Sequence, residues 1–513
     1  MFWKRWLARR TPAETAPSPE IPREATFRRA VGLELRLWPC RGLDQVRVTA
    51  QRQGGSTTTT LSREEARALC ALNRWQTAAE AGLSHARLTR LVQENLVYFS
   101  RSRPREDLTG SPSGPLRGRM ALRRNVWPTP AVRRKDEVGP IPFMPRLGSL
   151  RGAELVGVHL GVNEMDKQTH GVAVGCCAEH GALLRNLLWR LNGRHDVESL
   201  DGPSRELCAL LHDLGLLEPA APPPSWNGRA QVSWLGHATV LVESAGQRIL
   251  VDPMFHPRSI PARPRTDTPP WGLGLGPLSA VLITHGDHDH LNPNALYQLD
   301  PATPVYLPRT DVKRPYQVDL RALVELLGFT HVHEVDAWER IRLGDVTVVA
   351  APFHGEDWGL TLPCRTYLIT SEELTVYLNA DSHGMTDVYR KLAQEFRVDL
   401  ALLGVGGCAE SHVMPPGYGY GNFYALWIPA QKRNEWIQLC GGPSDAAEAA
   451  ELLGARHAFG YAAGGASFIQ VAYTDRGTHD ELATILKERG ARCQPLRLPL
   501  GEPVAVPHSD EKT

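Results

Sequence analysis

The sequence predicts an α/β protein: a layered α/β C-terminal half, preceded by a mixed α+β half with helical, winged-helix-like modules. Three observations carry that prediction. A proline run, EPAAPPPSW at Glu218–Trp226, divides a chain of 513 residues, a length that accommodates roughly two to four domains. Before the run, leucines recur at helical spacing. After it, apolar β-branched segments cut by Gly, Asp and Pro come first in pairs and then alternate with helix-like stretches, the order expected of strands layered with helices. We therefore expect an N-terminal domain over 1–222 and a C-terminal domain over 223–513.

In the N-terminal part, Ser62-Arg63-Glu64-Glu65 has capping-box spacing ahead of Ala66, Leu69 and Leu72, and Leu88, Leu91 and Val92 continue an apolar helical face. The plan recurs from Leu183 to Leu217, where LLRNLLWRLNG is expected to stop at Gly193 and RELCALLHDLGLL follows. Each unit ends in a short apolar tail, LVYF or LLEP. Such modules dock a partner or dimerise as readily as they bind DNA. Between Arg101 and Lys135 the chain carries ten Lys/Arg and two acidic residues around SPSGP, which reads as an irregular connector.

Composition excludes several classes. Lys+Arg 57 against Asp+Glu 56 leaves a net charge of +1, so no global field draws nucleic acid or an acidic membrane. Nine scattered cysteines without a CxxC pair argue for a reducing compartment, against a disulfide framework and against a zinc ribbon. No run approaches the ~18 apolar residues of a membrane span, and MFWKRWLARRTPAETAPSPE lacks a signal peptide's hydrophobic stretch. The expected location is the cytoplasm.

In the C-terminal part, QVSWLGHATVLVE, QRILVDP and LSAVLIT read as strands, followed by VTVVAAPF, TYLIT, TVYLNA and VDLALLGVG; DVYRKLAQEF, PSDAAEAAELLG and HDELATILKERG read as helices. Directly after AVLIT stands Thr284-His285-Gly286-Asp287-His288-Asp289-His290. Five of the six side chains from His285 to His290 can ligate a metal, on a loop leaving a buried strand. Imidazole and carboxylate without thiolate suit a divalent first-row metal such as iron, zinc or manganese.

With this loop the sequence resembles the metallo-β-lactamase superfamily from Val232 to about Phe468. The resemblance implies an αββα sandwich with an HxHxDH loop, an Asp252 in VDPMF that supports the loop from below, and later site residues His354 in PFHGEDWGL and Asp381 in LNADSHG. His237 of WLGHATVLVE is expected to pack near the site rather than ligate. Two departures matter. Asp287 stands where the hydrolases carry a second histidine, and Ala462 stands where their last histidine would. The altered pattern is similar to the dinuclear-iron β-hydroxylases of nonribosomal peptide pathways.

That resemblance implies an O2-dependent diiron monooxygenase of secondary-metabolite and antibiotic biosynthesis. Its substrate would be an amino acid held on a carrier protein as a thioester, or within a peptide, and it would draw on an external electron donor. His285 and Asp287 would bind one iron, Asp289 and His290 the other; Asp381 would bridge, and Glu356 would be the added carboxylate, with Glu356 and Asp381 at the catalytic centre. The alternative is a metal-dependent hydrolase of an ester, amide or phosphodiester with Zn or Mn, for which His354 is the rival ligand. Neither nucleic acid nor membrane is expected as a partner; a homodimer through the N-terminal modules is compatible with the sequence, and the basic stretch 101–135 offers a surface to an acidic carrier.

Other residues have plainer roles open to them. His288 alternates with the ligands and is expected to point away. His383 and His412 are candidates to replace the lost nitrogen donor. GYGYGNFYALW reads as a lid, a channel wall or an aromatic surface loop, and Cys408 as a small apolar neighbour. GLGLGP at Gly272–Pro277 lacks the following helix and Lys-Ser/Thr of a phosphate loop.

Overall fold

The computed structural model describes residues 21–29, 33–37, 45–52, 55–72, 76–94, 96–100, 116–123, 126–135, 137–141, 148–163, 169–175, 177–220, 226–255, 275–287, 289–309, 319–355, 364–407, 409–411, 436–438, 440–462 and 477–507. Two seven-stranded sheets form the C-terminal part. The first runs, in spatial order, Val332–Val335, Val305–Pro308, Ala280–Leu282, Gln247–Val251, Val240–Ser244, Gln231–Trp234 and Pro503–Val504; the second runs Arg340–Leu343, Val346–Ala351, Thr366–Thr370, Thr375–Leu378, Leu400–Gly404, His457–Tyr461 and Gln494–Pro495. Each is antiparallel in one part and parallel in the other.

Strand periodicity explains why two sheets stack. Successive side chains face opposite sides, so Val240, Val242, Ile249 and Val251 meet Val348, Ala350, Leu400 and Leu402 between the sheets. The alternate residues Leu241, Leu250 and Val281 pack outward with Leu184, Leu187 and Leu188. Val349, Ala401 and Leu403 of the second sheet pack outward against Tyr389, Leu392, Ala446 and Leu482, from helices Thr386–Glu395, Pro443–Leu453 and His479–Glu488. The result is the expected αββα sandwich. No helix among the described residues is long and apolar enough to cross a membrane.

The helix Arg63–Ala71 begins at Ser62 with both capping-box bonds made, as its spacing predicts. The tails LVYF and LLEP become strands Val97–Ser100 and Leu217–Pro219, each in a small three-stranded sheet. The helix expected to reach Gly193 spans only Ala178–Leu188, because Asn192–Asp196 turns into a strand against Arg119–Leu122. The irregular-connector reading of 101–135 also needs correction: Arg119–Leu122 and Val126–Arg134 are strands, while 101–115 lies outside the described residues. Pro128 and Pro130 are tolerated because that stretch pairs with Glu154–Asn163 on one side, whereas Glu137–Pro140 joins the other side only from Ala131 onward. The seven-stranded N-terminal sheet to which these strands belong was not anticipated.

One half-buried histidine makes stability depend on pH. His479 Nδ1 accepts from Gly460 N at 3.3 Å and its ring lies 4.9 Å from that of Phe459. Burial, reinforced by Arg497, lowers its pKa from 6.5 to about 4. At this residue the folded chain thus binds fewer protons than the unfolded chain between these values, so its contribution to stability falls as pH drops from about 6.5 toward 4 and is flat above that window. Denaturant titrations at stepped pH should show this slope, and His479→Gln should lessen it.

Candidate metal centre

The site is assembled where adjacent parallel strands end. Gln247–Val251 leads into Asp252, and Ala280–Leu282 leads through Ile283 into Thr284 and His285; Asp252 N donates to Leu282 O at 3.0 Å. Asp252 is fully buried. Its Oδ1 accepts from Thr284 N at 2.8 Å, and its Oδ2 accepts from Thr284 Oγ1 at 2.6 Å and faces His290 Nδ1 at 2.8 Å. The carboxylate thereby holds both ends of the loop, the support expected of it.

These bonds set the histidine tautomers. Thr284 spends its hydroxyl proton on Asp252, so its oxygen accepts from His285 Nδ1 at 2.9 Å, leaving His285 Nε2 bare. That nitrogen is buried without a hydrogen-bond partner, as is Asp381 Oδ1. His285 Nε2 lies 3.9 Å from both Asp287 Oδ2 and Asp381 Oδ2. Burial, with His290 beside it, holds His285 well below the usual imidazole range. Burial would do the same to His290, but Asp381, 3.1 Å from its Nε2, and Asp252 outweigh it and raise its pKa well above 6.5.

Asp381 arrives from the second sheet. Thr375–Leu378 ends at Asn379, whose Oδ1 accepts from Gly404 N at 2.7 Å and whose Nδ2 donates to Ser382 O at 2.9 Å. Ala380, at φ 48°, donates its N–H to Tyr461 Oη at 2.9 Å. Gly404 is required there, since a Cβ would stand 2.1 Å from Ala380 O.

Among the described residues, two groups have ligand-capable atoms within 4.8 Å of one another: His285, His290 and Asp381, and His237, Asp289 and His290. The sequence reading gave His237 no ligand role, yet its Nε2 is 3.2 Å from Asp289 Oδ2. It is carried on a tight turn at φ 48°, and its carbonyl accepts from Trp234 Nε1 at 2.8 Å and from Ala462 N at 3.2 Å. The one available signal was its place in the GHAT turn after the entry strand. Ala462 follows the strand His457–Tyr461 and has no side-chain nitrogen to offer a metal.

His354 stands apart from both groups. It is exposed, its Nδ1 3.3 Å from His383 O, and its backbone is clamped by Ser382 Oγ at 2.9 Å on both N and O. His383 is half-buried, with its ring 5.2 Å from that of His354. Glu356, His288, Cys408, His412 and GYGYGNFYALW lie outside the described residues. The donor set that is described, two oriented buried imidazoles with Asp287, Asp289 and Asp381 and two orphaned polar atoms, fits divalent metal: a bare buried nitrogen and carboxylate oxygen are costly unless a ligand takes them.

The two-sheet sandwich has the β-lactamase fold, and the family profile described as "Beta-lactamase superfamily domain" matches residues 247–460. The chain is similar to the 4-amino-L-phenylalanyl-[CmlP-peptidyl-carrier-protein] 3-hydroxylase of Streptomyces venezuelae, 30% identical over 211 residues covering 39% of this chain and 38% of that protein. It is also similar to a metal-dependent hydrolase of Saccharolobus solfataricus, 24% identical over 188 residues, 35% of this chain and 72% of the relative. Among solved structures, CmlA, a diiron β-hydroxylase from Streptomyces venezuelae, aligns with a TM-score of 0.47 and 20% identity, over 74% of this chain and 76% of that one. The match to the hydroxylase sequence thus spans under two fifths of its length.

Proposed function

We propose that the chain is an O2-dependent dinuclear-iron monooxygenase that β-hydroxylates an amino acid tethered to a carrier protein or contained in a peptide. The observation that carries this reading is the composition of the buried cluster. Asp287, Asp289 and Asp381 stand with the imidazoles of His237, His285 and His290, and Ala462 occupies the end of the strand where a hydrolase would supply a last histidine. Mixed shells of imidazole and carboxylate that leave positions open are those of non-haem iron oxygenases. His285 and Asp287 would hold one iron, Asp289 and His290 the other, with Asp381 between them and Glu356 as a further carboxylate. The similarity to a hydroxylase acting on a carrier-bound aminoacyl group supports the substrate class.

Bound iron supplies the activation of dioxygen with electrons from an external donor. The chain's own residues prepare for it. Asp252 and Thr284 fix both imidazoles with their Nε2 atoms turned to the carboxylates, and burial excludes water from His285 and His290. The proton that the metal-free chain holds on His290 must leave its Nε2 as metal enters.

The test is an iron-loaded chain given reductant and a panel of aminoacyl-pantetheine thioesters, with and without oxygen. The expected product gains one oxygen atom derived from O2, and none forms anaerobically. Hydrolysis of the thioester at equal rates with and without oxygen, lost on His354→Ala, would instead establish the hydrolase reading. The hydrolase among the relatives keeps that outcome in view.

A further inference from the structure

One fully enclosed cation lies far from the metal cluster in sequence and has no carboxylate within ion-pair distance among the described residues. Arg185, on the helix Ala178–Leu188, is 4% exposed. Its Nε donates to Leu327 O at 2.6 Å, its Nη1 to Tyr297 O at 3.0 Å and its Nη2 to Leu296 O at 3.5 Å. Its guanidinium carbon lies 5.3 Å and 5.2 Å from the Tyr297 and Phe329 rings.

The positions of those carbonyls give the residue its meaning. Leu327 closes the helix Leu320–Leu326, and Leu296 and Tyr297 close the short helix Pro293–Leu296. The last carbonyls of a helix lack partners within it and carry its negative dipole end. One guanidinium fork thus satisfies the ends of two helices at once. The short helix starts at its Asn292 cap, two residues after His290, and its other flank is held by Asn294 Nδ2, which donates to Thr129 Oγ1 at 3.3 Å. Leu184, Leu187 and Leu188 share one apolar core with Ala295, Leu296 and Leu323. The segment that leaves the metal loop is therefore gripped by residues preceding the proline run, through directional bonds that a leucine seam alone does not provide.

We propose that Arg185 is a positioning residue for the metal centre: the N-terminal part fixes the backbone behind His290 through this guanidinium, so that metal affinity in the C-terminal part depends on it. The inference rests on the reading of the His/Asp cluster as a metal site. A charge buried against carbonyls carries a desolvation cost that an apolar residue of similar length would avoid, and its geometry is one a lysine does not reproduce.

The test is an anaerobic titration of the 513-residue metal-free chain with cobalt(II), followed by its visible absorption, on wild type, Arg185→Met, Arg185→Lys and the core variant Leu69→Ala from the helix Arg63–Ala71. Each is measured where circular dichroism shows it folded. Arg185→Met is expected to bind cobalt about 10–100-fold more weakly, the range for losing a partner that orients a ligand, with altered band positions. Arg185→Lys should fall between it and wild type, and Leu69→Ala should bind as wild type. Wild-type affinity in both Arg185 variants, or an equal loss in Leu69→Ala, would overturn the proposal. If Arg185→Met does not fold, Arg185→Lys decides it: wild-type affinity there overturns it equally. A wild-type chain that takes up no cobalt overturns the metal reading itself, and this inference with it.

Discussion

Asp381→Asn is expected to lower metal affinity by more than about 100-fold, beyond the loss typical of residues that only orient a ligand, and to abolish turnover with it. Asp381 Oδ2 is the oxygen nearest His290 Nε2 at 3.1 Å and also lies 3.9 Å from His285 Nε2, while its Oδ1 is buried without a partner. Among the described residues it is the acidic group that the second sheet brings to the loop of the first. The asparagine keeps the volume and one acceptor, so folding should survive. What is lost is the negative charge that balances metal and, in the metal-free chain, raises the pKa of His290. Metal titration checks the first effect and a melting curve the second; retention of wild-type metal content in Asp381→Asn would remove it from the centre.

Asp252→Ala is expected to act on stability and metal affinity together. The carboxylate is wholly buried and receives three polar contacts, from Thr284 N, Thr284 Oγ1 and His290 Nδ1. Its removal leaves those groups without their acceptor inside the protein, a loss of about 3–5 kcal/mol for a broken buried charge network. It also frees both histidine tautomers, because Thr284 no longer has a carboxylate to receive its proton. Metal affinity should therefore fall about 10–100-fold even at temperatures where the variant is folded. Denaturant unfolding and metal titration separate the two effects.

Much of this centre was legible because its parts are local. An apolar strand followed at once by ligating side chains announces a strand-end site, and His285, Asp289, His290 and Asp381 follow strands that the alternation of Val, Leu and Ile revealed. Asp252 was readable for the same reason. His237 was not, since its role depends on a positive-φ turn that brings it to Asp289 from a distant part of the chain. The N-terminal sheet was hidden for another reason. Gly55–Ser62 is a polar threonine run, and Leu33–Leu37 finds its parallel partner only at Thr169–Val174, so neither hydrophobic period nor chain proximity signals the pairing. Arg185 was equally silent, because a single arginine in an amphipathic helix reads as solvated until the helix ends it satisfies are brought beside it.

Metal content and near-ultraviolet absorption of the chain purified in air test the dinuclear-iron reading most directly. About two iron ions per chain, with a near-ultraviolet band that bleaches on reduction, is the expected result for a dinuclear centre of imidazoles and carboxylates. Zinc alone, without that band and with full activity in the absence of oxygen, would contradict it.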